Sequence, residues 1–315
     1  MSVSLTQPSS FREEYEWIAS YLRDRPLFIN EAETWGHTVP IVWKSAVAIT
    51  VVAVVIYGVI LVVVDHEKSP PTAPSSTQKP GQDATTIRTT STSPSRQTFK
   101  TVYQATNLLV NIVLAVVGFN LEAQLPRVSD VSFETLTMGF NHTTVLPAIQ
   151  VGYQLWAIPF GLLLVNESPI MLGHHFSVVL VAAGPMLLTV SFKYYAPFFF
   201  GVIEASSIPL AIMNAFRNNQ DWIDRYPTTY GLVRQMFAYS FLWFRWIRYV
   251  PHTFHYGRLL LFSAIAAEPL WLKIYLSLSC VGTGALLLMQ TYWGMLICRG
   301  LLNLFIGKKD KPKKK

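Results

Sequence analysis

The residues of this chain best suited to chemistry lie between 171 and 216. His174 and His175 stand side by side near the start of one apolar run, and Glu204, Ser206, Ser207 and Asn214 fall in the next. A neutral imidazole takes and gives protons near neutral pH, so either histidine is a candidate general base or nucleophile. A carboxylate that reaches it fixes its tautomer and stabilises the imidazolium, which makes Glu204 the candidate partner. Arg245 and Arg248, in an aromatic stretch further on, suit a phosphate or a carboxylate. Neighbouring helical residues point about 100° apart, so one histidine faces inward while the other meets an adjacent element. Metal binding is a poor fit for the pair, because no third histidine and no acidic cluster stand at ligand spacing from it.

These groups must be positioned by a membrane scaffold. Of 315 residues, 51% are hydrophobic and 14% charged, against about 25% charged in a soluble domain. The apolar residues are gathered in runs long enough to cross a bilayer, which takes about 20 residues. The runs predict an all-α multi-pass bundle of about seven helices, at roughly 40–64, 102–121, 144–165, 171–191, 196–215, 230–250 and 270–298. The sixth is interrupted by Arg234, Arg245 and Arg248, and the segment 257–267 that follows is too short to span. Ionisable groups inside hydrocarbon are costly and mark a site or a polar pair facing the bundle interior.

The chain divides into a lumenal segment 1–38, a first spanning helix 39–65, a loop 66–98, a helical domain 99–300 and a basic tail 301–315. The loop is rich in Ser, Thr and Pro and buries too little apolar surface to order itself, so it is expected to be disordered. The first 38 residues carry no apolar run of the signal-peptide kind. The net charge of +7 reflects six lysines in the last eight residues, which argues against a nucleic-acid face. With the C-terminus cytosolic, the inside segments hold 14 Lys and Arg against 6 outside, so the N-terminus is expected to be lumenal. Lys311 and Lys313 stand fifth and third from the end. That spacing fits a coat-protein retrieval signal for the endoplasmic reticulum, and a polybasic stop attracting anionic lipid is the alternative.

Residues three, four, seven and eleven apart share a helix face. Gln104, Asn107, Asn111 and Gly118 form one such stripe, and Gln150, Gln154, Ala157 and Gly161 another. His174, Ser177, Val181 and Gly184 form a third, followed by Glu204, Ser207, Ala211 and Asn214, then Arg234, Phe241, Arg245 and His252. The stripes are either packing seams or the walls of a shared polar cavity.

In order along the chain, YQATNLLVNIVLA, GYQLW, HH, EASSIPLAIMN and an Arg-bearing aromatic helix resemble the motifs of the TLC-domain family. That family includes the ceramide synthases and the translocating chain-associating membrane protein. The resemblance covers about residues 95–300 and implies six helices around a central cavity, here with one extra N-terminal helix. It makes His174, His175 and Glu204 candidate catalytic residues. Asn107, Asn111, Tyr153, Ser206, Ser207, Asn214, Arg245 and Arg248 become candidate substrate-binding residues. The chain departs from the ceramide synthases at Ala157, Val178, Ala182, Ala183, Met186, Pro197 and Phe200, where that group carries residues of its own. The resemblance is therefore nearer to the other TLC-domain-containing proteins.

Three functions fit this pattern: handling of an acyl lipid in membrane sphingolipid or phospholipid homeostasis, acyl transfer from acyl-CoA, and service as a cargo receptor or translocation accessory. No cofactor is implied, and acyl-CoA enters only as substrate of an acyltransferase. The expected partners are membrane lipids, coat protein at the tail and a second copy of the chain in a homodimer.

Overall fold

In hydrocarbon every backbone N–H and C=O needs a partner within its own segment, so long apolar runs become helices. The computed structural model describes residues 10–24, 34–67, 94–127, 131, 133–139, 142–188 and 191–305, and it is helical throughout. The helices are α1 (Phe11–Asp24), α2 (Val39–Glu67), α3 (Pro94–Glu122), α4 (Phe133–Met138), α5 (Val145–Phe160) and α6 (Pro169–Leu187). They continue as α7 (Ala196–Phe200), α8 (Ser207–Asn218), α9 (Gln220–Arg225), α10 (Pro227–Phe241), α11 (Tyr249–Ala266) and α12 (Leu270–Phe305). Among the described residues, six stretches are long and apolar enough to cross a membrane: Gly36–Ile60, Gln97–Glu122, Val145–Val165, Pro169–Leu187, Lys193–Asn218 and Leu270–Asn303.

The packing order closes a ring. α3 packs on α8, α8 on α10, α11 on α12, α12 on α6, α6 on α5, and α5 returns to α3. α2 lies outside this ring, against α5 and α3. Two glycine crossings set the distances. Gly118 of α3 meets Gly201, and a Cβ on Gly118 would stand 2.5 Å from the Gly201 Cα. At Gly152 of α5 a Cβ would stand 2.5 Å from the Val42 carbonyl of α2.

Four sequence expectations change. The arginine-bearing segment 230–250 and the short segment 257–267 belong to one helical run over 227–266, in which α10 passes through a π-helical turn, Leu242–Arg248, into α11. That run is about 60 Å long at 1.5 Å per residue, and it packs on spanning neighbours at both ends. The fifth span is broken: a 3-10 turn, Lys193–Tyr195, precedes α7, and a second, Val202–Ser206, separates α7 from α8. The helix after the Ser/Thr/Pro-rich loop starts at Pro94, inside the expected loop; residues 68–93 lie outside the described residues. The N-terminal segment contains α1, which buries Glu14, Ile18 and Leu22 at four-residue spacing and docks on α11.

Candidate functional site

Glu204 projects from the 3-10 turn Val202–Ser206. The tighter turn carries Glu204, Ser206 and Ser207 together to one place on the ring interior. Arg245 arrives there from the π turn of the facing helix. Its Nε donates to Ser206 Oγ at 2.7 Å, and Ser206, fully buried, donates in turn to the Ile203 carbonyl at 2.8 Å. One terminal nitrogen, Nη2, donates to Ser207 Oγ at 2.8 Å and to Glu204 Oε2 at 3.2 Å. Ser207 donates to the same carboxylate oxygen at 2.6 Å, and Gln150 Nε2 from α5 donates to Oε1 at 3.3 Å. The Arg245 and Glu204 side chains are only 9% and 12% exposed, so each charge depends on the other.

Glu204 was expected to orient a histidine; in the structure its oxygens meet Gln150, Ser207 and Arg245. Arg245 and Arg248 were expected to receive an anionic group; in the structure Arg245 meets Glu204, and Arg248 meets Glu122 at 2.7 Å while lying over the Phe198 ring.

A cavity of about 40 Å³ borders this cluster, with Gln150, His174, Glu204, Arg245, Thr283 and Gln290 as its polar lining. It has two unlike ends. The His174 and Trp293 rings lie 5.9 Å apart, and Trp246 is fitted against Gly294, so His174, Arg245 and Gln290 share a level. Further along, Val181 lies beside Gly282 and Cys280 beside Gly257, and there the lining is apolar and aromatic, with Phe199, Phe200, Val181 and Tyr256. Four lining residues carry buried polar atoms without a protein partner: Gln150 Oε1, His174 Nδ1, Thr283 Oγ1 and Gln290 Oε1. A buried polar group left unpaired costs roughly 1–3 kcal/mol. The cavity admits only one or two waters or an equally small polar group.

The two histidines diverge. His174 faces the cavity, whereas His175 turns to α3 and α5, where its Nε2 lies 3.4 Å from the Tyr103 hydroxyl. Tyr153 packs edge-on against the His175 ring and donates to Asn107 Oδ1 at 2.9 Å. Trp156 stacks on Tyr103 and Tyr153 with ring centroids 5.5 and 6.1 Å away. Asn107 and Tyr153 therefore serve the His175 side. Asn111 is buried on α3, and Asn214 is half-buried on α8; neither lines the cavity. Arg234 is exposed over Tyr230 and leaves the stripe expected for it. The π turn Leu242–Arg248, which begins after Phe241 and contains Arg245, shifts the helical phase between Arg234 and Arg245.

The residues that sequence reasoning missed are Thr283 and Gln290. Their spacing of seven, which puts both on one face of the last span, was the available signal. His252 and His255 also escaped notice as a pair. His252 Nδ1 meets the Arg248 carbonyl, and His255 Nδ1 meets the Tyr195 hydroxyl. Among the described residues no three His, Cys, Asp or Glu side chains gather to hold a metal. Lys311 and Lys313 lie outside the described residues.

No curated protein and no solved structure matches the chain. A family model of the TLC domain matches residues 96–299, a stretch that begins just inside α3, takes in the whole six-helix ring and leaves α1 and α2 outside. This multi-pass membrane protein belongs to the TLC-domain family.

Proposed function

We propose that the protein binds and handles an acyl lipid in membrane lipid homeostasis, and that the polar part of this lipid is uncharged. The observation behind this reading is the cavity wall. Its only charges, on Glu204 and Arg245, neutralise each other, while Gln150 Oε1 and Gln290 Oε1 are buried acceptors without donors. A hydroxyl or N–H group satisfies them. A phosphate brings charge and no donor. The aromatic end of the cavity suits the start of a hydrocarbon chain. In this reading the endoplasmic reticulum is the site of action, supported by the spacing of Lys311 and Lys313. The chain crosses the bilayer seven times with a lumenal N-terminus, the arginine-bearing run 227–266 being the sixth of these spans.

The test is mass spectrometry of lipid retained by the detergent-purified protein, with His174→Ala and Gln290→Leu beside the wild type. The expected result is one enriched neutral lipid bearing hydroxyl or amide donors, diminished in Gln290→Leu. An enriched phospholipid overturns the head-group assignment. An acyl group bound only when His174 is present replaces lipid handling with acyl transfer. No enriched lipid in any sample removes the reading altogether and leaves the cargo or translocation roles.

A further inference from the structure

A second site lies outside the ring, between α2 and α5. The two helices are pinned together where Gly152 meets Val42 and Ser45. Beside that crossing lies a groove of about 330 Å³ over Ala46 and Thr50, with Trp43, Val47, Leu155 and Trp156 in its lining. Its volume falls within the usual range for small-molecule sites, about 300–1,000 Å³. The small residues at 46 and 50 are one helical turn apart, so the groove runs along α2 rather than across it. Trp43, Val47 and Val51 are 62, 60 and 56% exposed, whereas Trp156 is only 6% exposed. The groove is thus open on one side and closed by a fixed ring on the other.

We propose that this groove binds one acyl chain of a bilayer lipid. Both walls belong to membrane-spanning stretches, Gly36–Ile60 and Val145–Val165, so the open side faces hydrocarbon. The lining offers no free hydroxyl, since Thr50 Oγ1 donates to the Ala46 carbonyl at 2.8 Å. Trp43 and Lys44 lie near the start of α2, the depth at which an indole N–H and a snorkelling ammonium meet lipid head groups. From Trp43 to Val51 is about 12 Å along the helix, which is a direction for a chain hanging from that head group. The groove is not the cavity of the proposed function: no residue lines both. It is separated from His175 only by the Trp156, Tyr103 and Tyr153 rings.

The experiment uses the full chain in vesicles of phosphatidylcholine carrying a photoactivatable diazirine in one acyl chain, with peptide mapping after irradiation. The expected result is several-fold more label on 43–51 and 155–156 than on 281–288 of α12, where Val281 and Leu288 are at least as exposed. Ala46→Phe fills the groove from its lipid-facing side and brings that label down to the α12 level; Thr50→Trp is the second variant, should the first express poorly. Equal labelling of the two regions, or excess labelling that survives both substitutions, overturns the proposal. Stronger labelling of the groove by a photoactivatable sterol than by the phospholipid overturns the choice of an acyl chain. Loss of head-group selectivity in the central cavity leaves this result untouched, so the two readings fail separately.

Discussion

Arg245 Nη2 and Glu204 Oε2 meet at 3.2 Å in the interior of the ring, with Ser206 and Ser207 accepting from the same guanidinium. Removing one member of such a pair strands the other charge, at about 3–5 kcal/mol, whereas replacing both by apolar groups is often neutral. Arg245→Met is therefore expected to lower thermal stability in detergent sharply. Arg245→Met combined with Glu204→Leu recovers most of the loss. If the double variant is no better than the single one, the pair is not the unit that holds this site.

The histidines separate by assay. His175→Phe keeps the ring volume but removes the contact with the Tyr103 hydroxyl, which keeps Asn107, an expected cost of about 0.5–1.5 kcal/mol in stability. His174→Phe leaves Tyr103 untouched and narrows the cavity, so it lowers the amount of retained lipid with little change in melting temperature. Equal loss of stability in both variants contradicts this division.

The glycines give a graded series. Gly118→Ala drives a methyl group into the Gly201 backbone, which no side-chain rotation relieves, and is expected to destabilise by about 1–3 kcal/mol. Gly284→Ala, in open space on α12, causes no loss. Parallel melting curves of the two variants check the contrast.

At α1, Glu14 faces Arg258 at 3.2 Å, yet burial raises the carboxyl above its ordinary value of 4.5 and outweighs the lowering by Arg258. An acid raised in the folded state holds its proton more tightly there than in the undocked one. Docking of α1 thus weakens as the pH rises from about the ordinary value through the raised one, and is flat above it. Hydrogen exchange over 11–24 is expected to show this slope. Glu14→Gln abolishes it and leaves α1 at least as well protected at neutral pH. A slope of opposite sign sinks the assignment.

The proposed topology of seven crossings and a lumenal N-terminus puts Asn166, at the exposed turn between α5 and α6, on the cytosolic side. Its Asn-Glu-Ser sequon is expected to stay unglycosylated in cells, while a sequon introduced ahead of α1 is modified. Modification of Asn166 reverses the proposed orientation.

Much of the scaffold was legible because hydrocarbon leaves the backbone little choice. The runs beginning near 40, 102, 144, 171 and 270 became helices close to where hydropathy put them. The run at 230–250 was cut short because Arg234, Arg245, Arg248 and Arg258 lower hydropathy without interrupting the helix. The site was legible in its members and not in its bonds. Glu204 and Arg245 were both singled out, but their pairing joins residues 41 apart in sequence and depends on a 3-10 turn and a π turn that no simple period encodes. Thr283 and Gln290 went unread because Lys273, Ser277, Ser279 and Thr291 share their span, so the polar residues that line the cavity do not stand out from those that do not.

The π turn Leu242–Arg248 also makes the chain sensitive to winding as well as to composition. Its residues rotate less than the same number of α-helical residues do, by about 100°, so deleting one there lets the run become an ordinary α-helix with both flanking segments facing as before. Winding the turn as α-helix at full length would instead swing Tyr249 and Tyr256 off the cavity wall and take Arg258 from Glu14. The aromatic end of the cavity and the seat of α1 therefore depend together on how this one turn absorbs its extra residue.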